Sequence, residues 1–108
     1  MSNDMEVIYG DVMYYIYILW MRGGKLYTGF TTDLRRRILK HKNGLVRTTR
    51  EERPLKLIHY EAYSLESDAR RREKFLKTTE GKRLLRMQIR DLLTELGYGP
   101  VIRQDVAC

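Results

Sequence analysis

The sequence predicts an α+β fold, a three-stranded antiparallel β-sheet flanked by three helices in a single domain, and three observations carry that expectation. A dense run of aromatic and β-branched residues, Met13 to Trp20, leads through a pair of glycines into a second alternating segment. Two later stretches place apolar residues at helical spacing. The chain has 108 residues and is 43% hydrophobic, enough for one core and too little for a second sizeable domain.

Residues 1–12 are polar and aperiodic and read as a flexible N-terminal arm. The run 13–20 is too short for most buried helices and apolar on both faces, which suits a central strand. Arg22-Gly23-Gly24 supplies the positive-φ residues of a tight hairpin turn, and 25–30 returns as the second strand. The pleat puts Tyr15 and Tyr17 on one face, and Tyr27 and Gly29 on one face of the next strand. Thr31-Thr32-Asp33 offers N-cap hydroxyls and a first-turn acid, so 34–42 reads as a short helix that ends at Asn43-Gly44. At about 100° per residue, Leu34 and Ile38 form its apolar stripe, with Arg37 and His41 one turn apart along the margin. Residues 45–54 are a polar loop rich in Arg and Thr, closed by Pro54, and 55–63 alternates as a third strand.

Ser64 to Ser67 begin a helix with Leu65, Ala69 and Leu76 on its buried side. Glu73 lies about 40° from Ala69 around that axis, which places its carboxylate beside the apolar stripe and partly buried, while Arg70 and Arg71 point outward. A last helix, from about Glu80 to Leu96, aligns Leu85, Ile89, Leu92, Leu93 and Leu96 and stops at Gly97. These elements bound a domain over 13–97, followed by a C-terminal tail, 98–108.

Charge narrows the function. The chain carries 21 Lys+Arg against 14 Asp+Glu, a net +7. The acids gather at the ends, leaving 20 bases against 9 acids over residues 13–93. Fourteen of the bases are arginine, whose planar fork suits phosphate, so the body is expected to attract polyanions. The longest apolar run is about half a membrane span and no signal series opens the sequence, which points to a cytoplasmic protein without membrane contact. Cys108 is the sole cysteine, so neither a disulfide framework nor a cysteine zinc site is expected.

Taken singly, the candidate residues have ordinary readings. Tyr15, Tyr17 and Tyr27 suit core aromatics, a helical His41 suits a structural or solvated role, and the runs Arg35 to Arg37 and Arg70 to Arg72 suit solvated faces. Glu73 is placed to pair with Arg70 or Lys77 across a helix turn. Taken in order, they resemble the GIY-YIG nuclease family over residues 13–80. Tyr15-Ile16-Tyr17 stands where the family has Gly-Ile-Tyr, and Tyr27-Thr28-Gly29 where it has Tyr-Ile-Gly. Arg37 through His41 looks like the family's Arg and His one turn apart, followed by Asn43-Gly44. Arg53-Pro54, Tyr60-Glu61 and Ala69 through Lys77 are similar to the segment carrying the family's glutamate. Tyr15 replaces the name-giving glycine and Thr28 the isoleucine, and no asparagine follows the glutamate. The match is closest to compact stand-alone bacterial members.

The resemblance implies a metal-dependent endonuclease acting on DNA. Its catalytic set is Tyr17, Tyr27, Arg37, His41 and Glu73, with Glu73 holding one Mg²⁺ or Mn²⁺. Tyr17 is the implied base for water and needs cationic neighbours to favour its phenolate, Arg37 and the metal among them. Tyr27 hydrogen-bonds nearby, His41 assists proton transfer and Arg37 clamps the phosphate. Arg36, Lys40, Arg47, Arg50, Arg70, Arg71 and Lys77 are the expected backbone-phosphate contacts. The partner is DNA, with branched and single-stranded forms left open. The alternatives are a non-catalytic nucleic-acid-binding module on the same scaffold and a structural or protein-interaction domain.

Overall fold

The computed structural model describes residues 9–97, which divide into two compact units, one ending at Glu73 and one beginning at Lys74. The tail 98–108 with Cys108, and the arm as far as residue 8, lie outside the described residues. Residues 9–12 carry no helix or strand.

The first unit is built on a sheet of β1 (Tyr14–Trp20), β2 (Leu26–Thr31) and β3 (Lys56–Tyr63), all antiparallel in the order β2-β1-β3. The apolar run is thus the central strand, and its buried residues Ile16, Tyr17, Ile18 and Leu19 are the heart of the core. Gly23 and Gly24 both take positive φ in the turn, where a Cβ would be strained, and Gly24 N–H donates to the Met21 carbonyl. The register sets Tyr17 between Gly29 and Tyr60. An irregularity between Ile18 and Leu19 gives β3 an extra residue against β1.

Helix α1 spans Leu34–Lys42. Asp33 is itself the N-cap, its side chain accepting from Arg36 N–H, so the first turn holds no acid. Gly44, at positive φ, donates to the His41 carbonyl and Leu45 to the Lys40 carbonyl, a Schellman closure. The buried residue of α1 is His41, while Leu34 and Ile38 are only half-buried. The following loop contains a short 3-10 turn, Arg50–Glu52, and turns Val46 and Thr49 inward.

Helix α2 covers Glu66–Leu76. Ala69 is buried, but Leu65 is 49% exposed, contrary to the sequence expectation. The physical reason is that Leu65 precedes the first turn of the helix, where its carbonyl accepts from Ala69 N–H. Arg72 holds α2 to the sheet through Glu61, with Nε and Nη2 donating to the two carboxylate oxygens at 2.9 and 3.1 Å. His59 and Tyr63, on the same face of β3, complete the shell around that carboxylate. Arg70 lies over the Phe30 ring at 3.6 Å.

In the second unit, the expected single helix is two: α3 (Thr79–Gln88) and α4 (Arg90–Glu95). Ile89, at φ −110° and ψ 32°, ends one and starts the other, although Leu93 N–H still bonds the Ile89 carbonyl. A single β-branched residue leaving helical dihedrals does not disturb the apolar spacing, so periodicity cannot register it. Thr78 caps α3 by accepting from Gly81 N–H, and a Cβ on Gly81 would collide with the Phe75 carbonyl. Leu85 and Leu93 are buried as expected. No helix among the described residues is long and apolar enough to cross a membrane.

The hydrogen bond from His59, with further bonds from Arg72 and Tyr63, holds the Glu61 carboxyl at about 2, below its ordinary 4.5. A carboxylate depressed on folding contributes stability above 4.5 that is lost as pH falls toward 2. Urea titrations at neutral and acid pH are expected to show this loss for the native chain. Glu61→Gln should cost roughly 2 kcal/mol at neutral pH and show a shallower acid limb, and an unchanged limb would remove Glu61 from the linkage.

Candidate active site

Three buried polar groups meet on the α1 side of the sheet. Tyr17 Oη lies 2.7 Å from His41 Nε2, and His41 Nδ1 lies 2.7 Å from Thr49 Oγ1. Tyr17 and Thr49 have no exposed surface and His41 is 1% exposed. Arg37, one helical turn before His41, directs Nε to the same tyrosine oxygen at 3.4 Å. Because Arg37 can only donate, the Tyr17 hydroxyl hydrogen finds its acceptor at His41 Nε2, which leaves Nδ1–H to donate to Thr49. This assignment gives an acceptor to both the Tyr17 hydroxyl and the His41 ring N–H.

Gly29 is the sheet partner of Tyr17, and the tyrosine ring lies across it. A Cβ there would collide with Cζ and Oη of Tyr17. The glycine is therefore required by close approach of a ring, not by its backbone dihedrals. The Tyr27 ring, two residues earlier on the same face, sits 5.4 Å from the His41 ring and 6.3 Å from that of Tyr17.

Burial dominates the electrostatics. It pushes the Tyr17 hydroxyl above its ordinary 10.0, with Tyr27 and Glu73 adding to the rise, while the hydrogen bond and charge of Arg37 pull against it without prevailing. The expectation that Arg37 makes Tyr17 acidic is thus corrected for the protein's own groups: the resting tyrosine is protonated. Burial, aided by the Arg37 charge, lowers His41 from 6.5 to about 4, so its imidazole is neutral at neutral pH.

Glu73, on α2, has a side chain 18% exposed and pairs with Arg70 at 3.6 Å. Among the described residues, no group of three or more His, Cys, Asp or Glu could hold a metal. That donor set does not suit an ion caged by protein ligands. It is compatible with a hard cation that takes one carboxylate and keeps most of its waters.

The structure brings Tyr17, Tyr27, Arg37 and His41 together, and Glu73 acts on Tyr17 electrostatically. Arg36, Lys40, Arg47 and Arg50 are exposed on α1 and the loop after it. The α2 arginines are more engaged than the expected phosphate role implies: Arg70 pairs with Glu66 and Glu73, and Arg71 with Asp68 at 2.8 Å. Lys77 is exposed and belongs to the second unit. Thr49 was not among the sequence candidates, because nothing in a polar loop marks which threonine turns inward.

With its central tyrosine strand, glycine-bearing partner strand and following helix, this chain belongs to the GIY-YIG family. The GIY-YIG catalytic domain matches residues 13–86, and the family is one of endonucleases. Among relatives, the chain is similar to a UPF0213 protein of Staphylococcus saprophyticus, 37% identical over 75 residues that cover 68% of this chain and 92% of that protein. It is 41% identical to a UPF0213 protein of Streptococcus agalactiae over 58% of this chain and 73% of the other. A solution NMR structure of a UPF0213 protein of Bacillus halodurans aligns with TM-score 0.45 and 37% identity, covering 68% and 81% of the two chains.

A histidine depressed on folding destabilises the native state as pH falls, because below 6.5 the unfolded chain binds the proton first. His41 should therefore erode stability between 6.5 and about 4, and its ring should titrate near 4 by NMR. A midpoint near 6.5 would contradict the buried neutral assignment. Thr49→Val, which strands Nδ1–H, is expected to cost about 1–3 kcal/mol.

Proposed function

We propose that the protein is a metal-dependent endonuclease that hydrolyses phosphodiester bonds in DNA with one Mg²⁺ or Mn²⁺ ion and a water activated by Tyr17. The observation that supports this most is the Tyr17 hydroxyl held between a neutral His41 and the Arg37 guanidinium. A resting tyrosine is no base, but this one has a proton acceptor in place. Tyr17 is fully buried, so the bound strand must open a path for the water to Oη; as the water oxygen bonds to phosphorus, the water proton passes to Tyr17 Oη while the original hydroxyl proton passes to His41 Nε2. The phosphorus–oxygen bond to the leaving strand breaks and its oxygen takes a proton from solvent, while the proton held by His41 returns through Tyr17 to solvent and restores the resting pair. Arg37 favours the tyrosine oxygen whenever it carries charge, and its remaining N–H groups suit a phosphate oxygen. Thr49 holds the imidazole in the tautomer that accepts at Nε2. The Tyr27 ring stands edge-on to the imidazole at 5.4 Å.

Glu73 would hold the metal, which would supply charge neutralisation at the phosphoryl oxygens. For that, its carboxylate must turn from Arg70 or share with it. This competition favours keeping a second reading, a nucleic-acid-binding module without turnover.

Plasmid or branched DNA is expected to be nicked in Mg²⁺ or Mn²⁺. Glu73→Ala should abolish nicking while DNA affinity persists. Absence of cleavage by the native chain with any divalent metal would overturn the enzyme reading. Arg37→Ala should lower the cleavage rate about 10²- to 10³-fold with the melting curve retained, and near-normal rates would place Arg37 outside the chemistry.

A further inference from the structure

We propose that a cleft on the first unit, separate from the Tyr17 group, is a second phosphate subsite that takes a phosphodiester group of the bound nucleic-acid strand. The inference rests on the nucleic-acid substrate proposed above. The cleft has a volume of about 530 Å³ and is lined by Arg22, Lys42, Arg50, Glu51, Arg53 and Pro54, among others. Three stretches of chain form it: the β1–β2 turn, the end of α1 and the segment entering β3.

How its cations are held distinguishes this cleft from the other basic surfaces. Arg22 Nη2 donates to the Glu51 carbonyl at 2.8 Å. Arg53 Nε donates to the Arg50 carbonyl at 2.9 Å, and its Nη1 reaches the Lys42 carbonyl at 3.5 Å. The guanidinium of Arg53 also packs against Gly44, where a Cβ would come within 2.8 Å of Cζ. A peptide carbonyl orients a guanidinium without cancelling its charge. On α2 the arginines are bound to carboxylates instead, Arg71 to Asp68 and Arg72 to Glu61. Glu51 is the single acid of the cleft lining, 3.9 Å from Arg50 with its side chain 87% exposed. Four cations thus face one solvent-exposed carboxylate, and two are fixed before any ligand arrives. A phosphate oxygen meeting them spends little ordering entropy.

The cleft is also tied to the active site. Lys42 follows His41 and Arg50 follows Thr49, so the 2.7 Å bond between His41 and Thr49 sets the spacing of two cleft walls.

The test is fluorescence anisotropy of a labelled duplex oligonucleotide with the full chain across roughly 0.05 to 0.4 M salt. Lys42→Gln/Arg50→Gln should lower the slope of log affinity against log salt by about 1.8, two contacts at roughly 0.9 each, with affinity down about tenfold near 0.1 M salt. Arg83→Gln, which removes a cation paired with Glu80 and outside the cleft lining, should leave the slope nearly unchanged. A double variant with native slope and affinity overturns the subsite while the nuclease reading stands. A native chain with no salt-dependent binding to any nucleic acid overturns that reading and the subsite together. Lys42→Gln alone, a change at the helix surface, gives half the slope effect should the double variant fail to fold.

Discussion

Burying a tyrosine hydroxyl at the centre of a sheet is the constraint from which the rest of the first unit follows. A hydroxyl with no access to water must bond within the protein, and Tyr17 does so through His41, which bonds in turn to Thr49. That line of two hydrogen bonds joins β1 to α1, 24 residues on, and α1 to the loop that follows it. It explains why α1 presents a histidine to the core where an amphipathic helix would present a leucine. It explains equally why a loop of arginines and threonines turns one threonine inward.

The other face of the sheet is held differently. Glu61, beside the central strand, is compensated by Arg72, His59 and Tyr63, and the bidentate Arg72 contact draws α2 onto β3. Glu73 is the next residue on that helix. One ion pair on the structural face therefore helps fix the orientation of the carboxylate assigned to the metal. Breaking one partner of such a cluster strands a charge, so the contact acts as a brace whose loss is costlier than its net worth.

The strands and α1 were legible because their signals are local: a period of two, a glycine pair, a capping acid and a closing glycine. Family resemblance named Tyr17, Tyr27, Arg37 and His41 together, and the structure brings these four side chains into one cluster. Their electrostatic state was not legible. Residue spacing says His41 lies at a helix margin, whereas its pKa depends on the sheet, the loop and Arg37 converging around it. The inward turn of Thr49 rests on a partner eight residues away that no periodicity marks. The α2 arginines illustrate the converse, since counting charges suggested a phosphate-binding face where neighbouring acids already take up much of that charge. The break at Ile89 and the exposure of Leu65 depend on single-residue dihedrals at helix ends, where apolar spacing carries no information.

The low basicity of His41 acts in both directions. An imidazole that resists protonation is a reluctant acceptor, but once it holds a proton it is a strong acid. In the proposed reaction the relay would not rest in its charged state: the proton from Tyr17 would return or move on as soon as an acceptor appeared. The burial that makes the first transfer uphill would then be what empties the relay for the next bond to be cut.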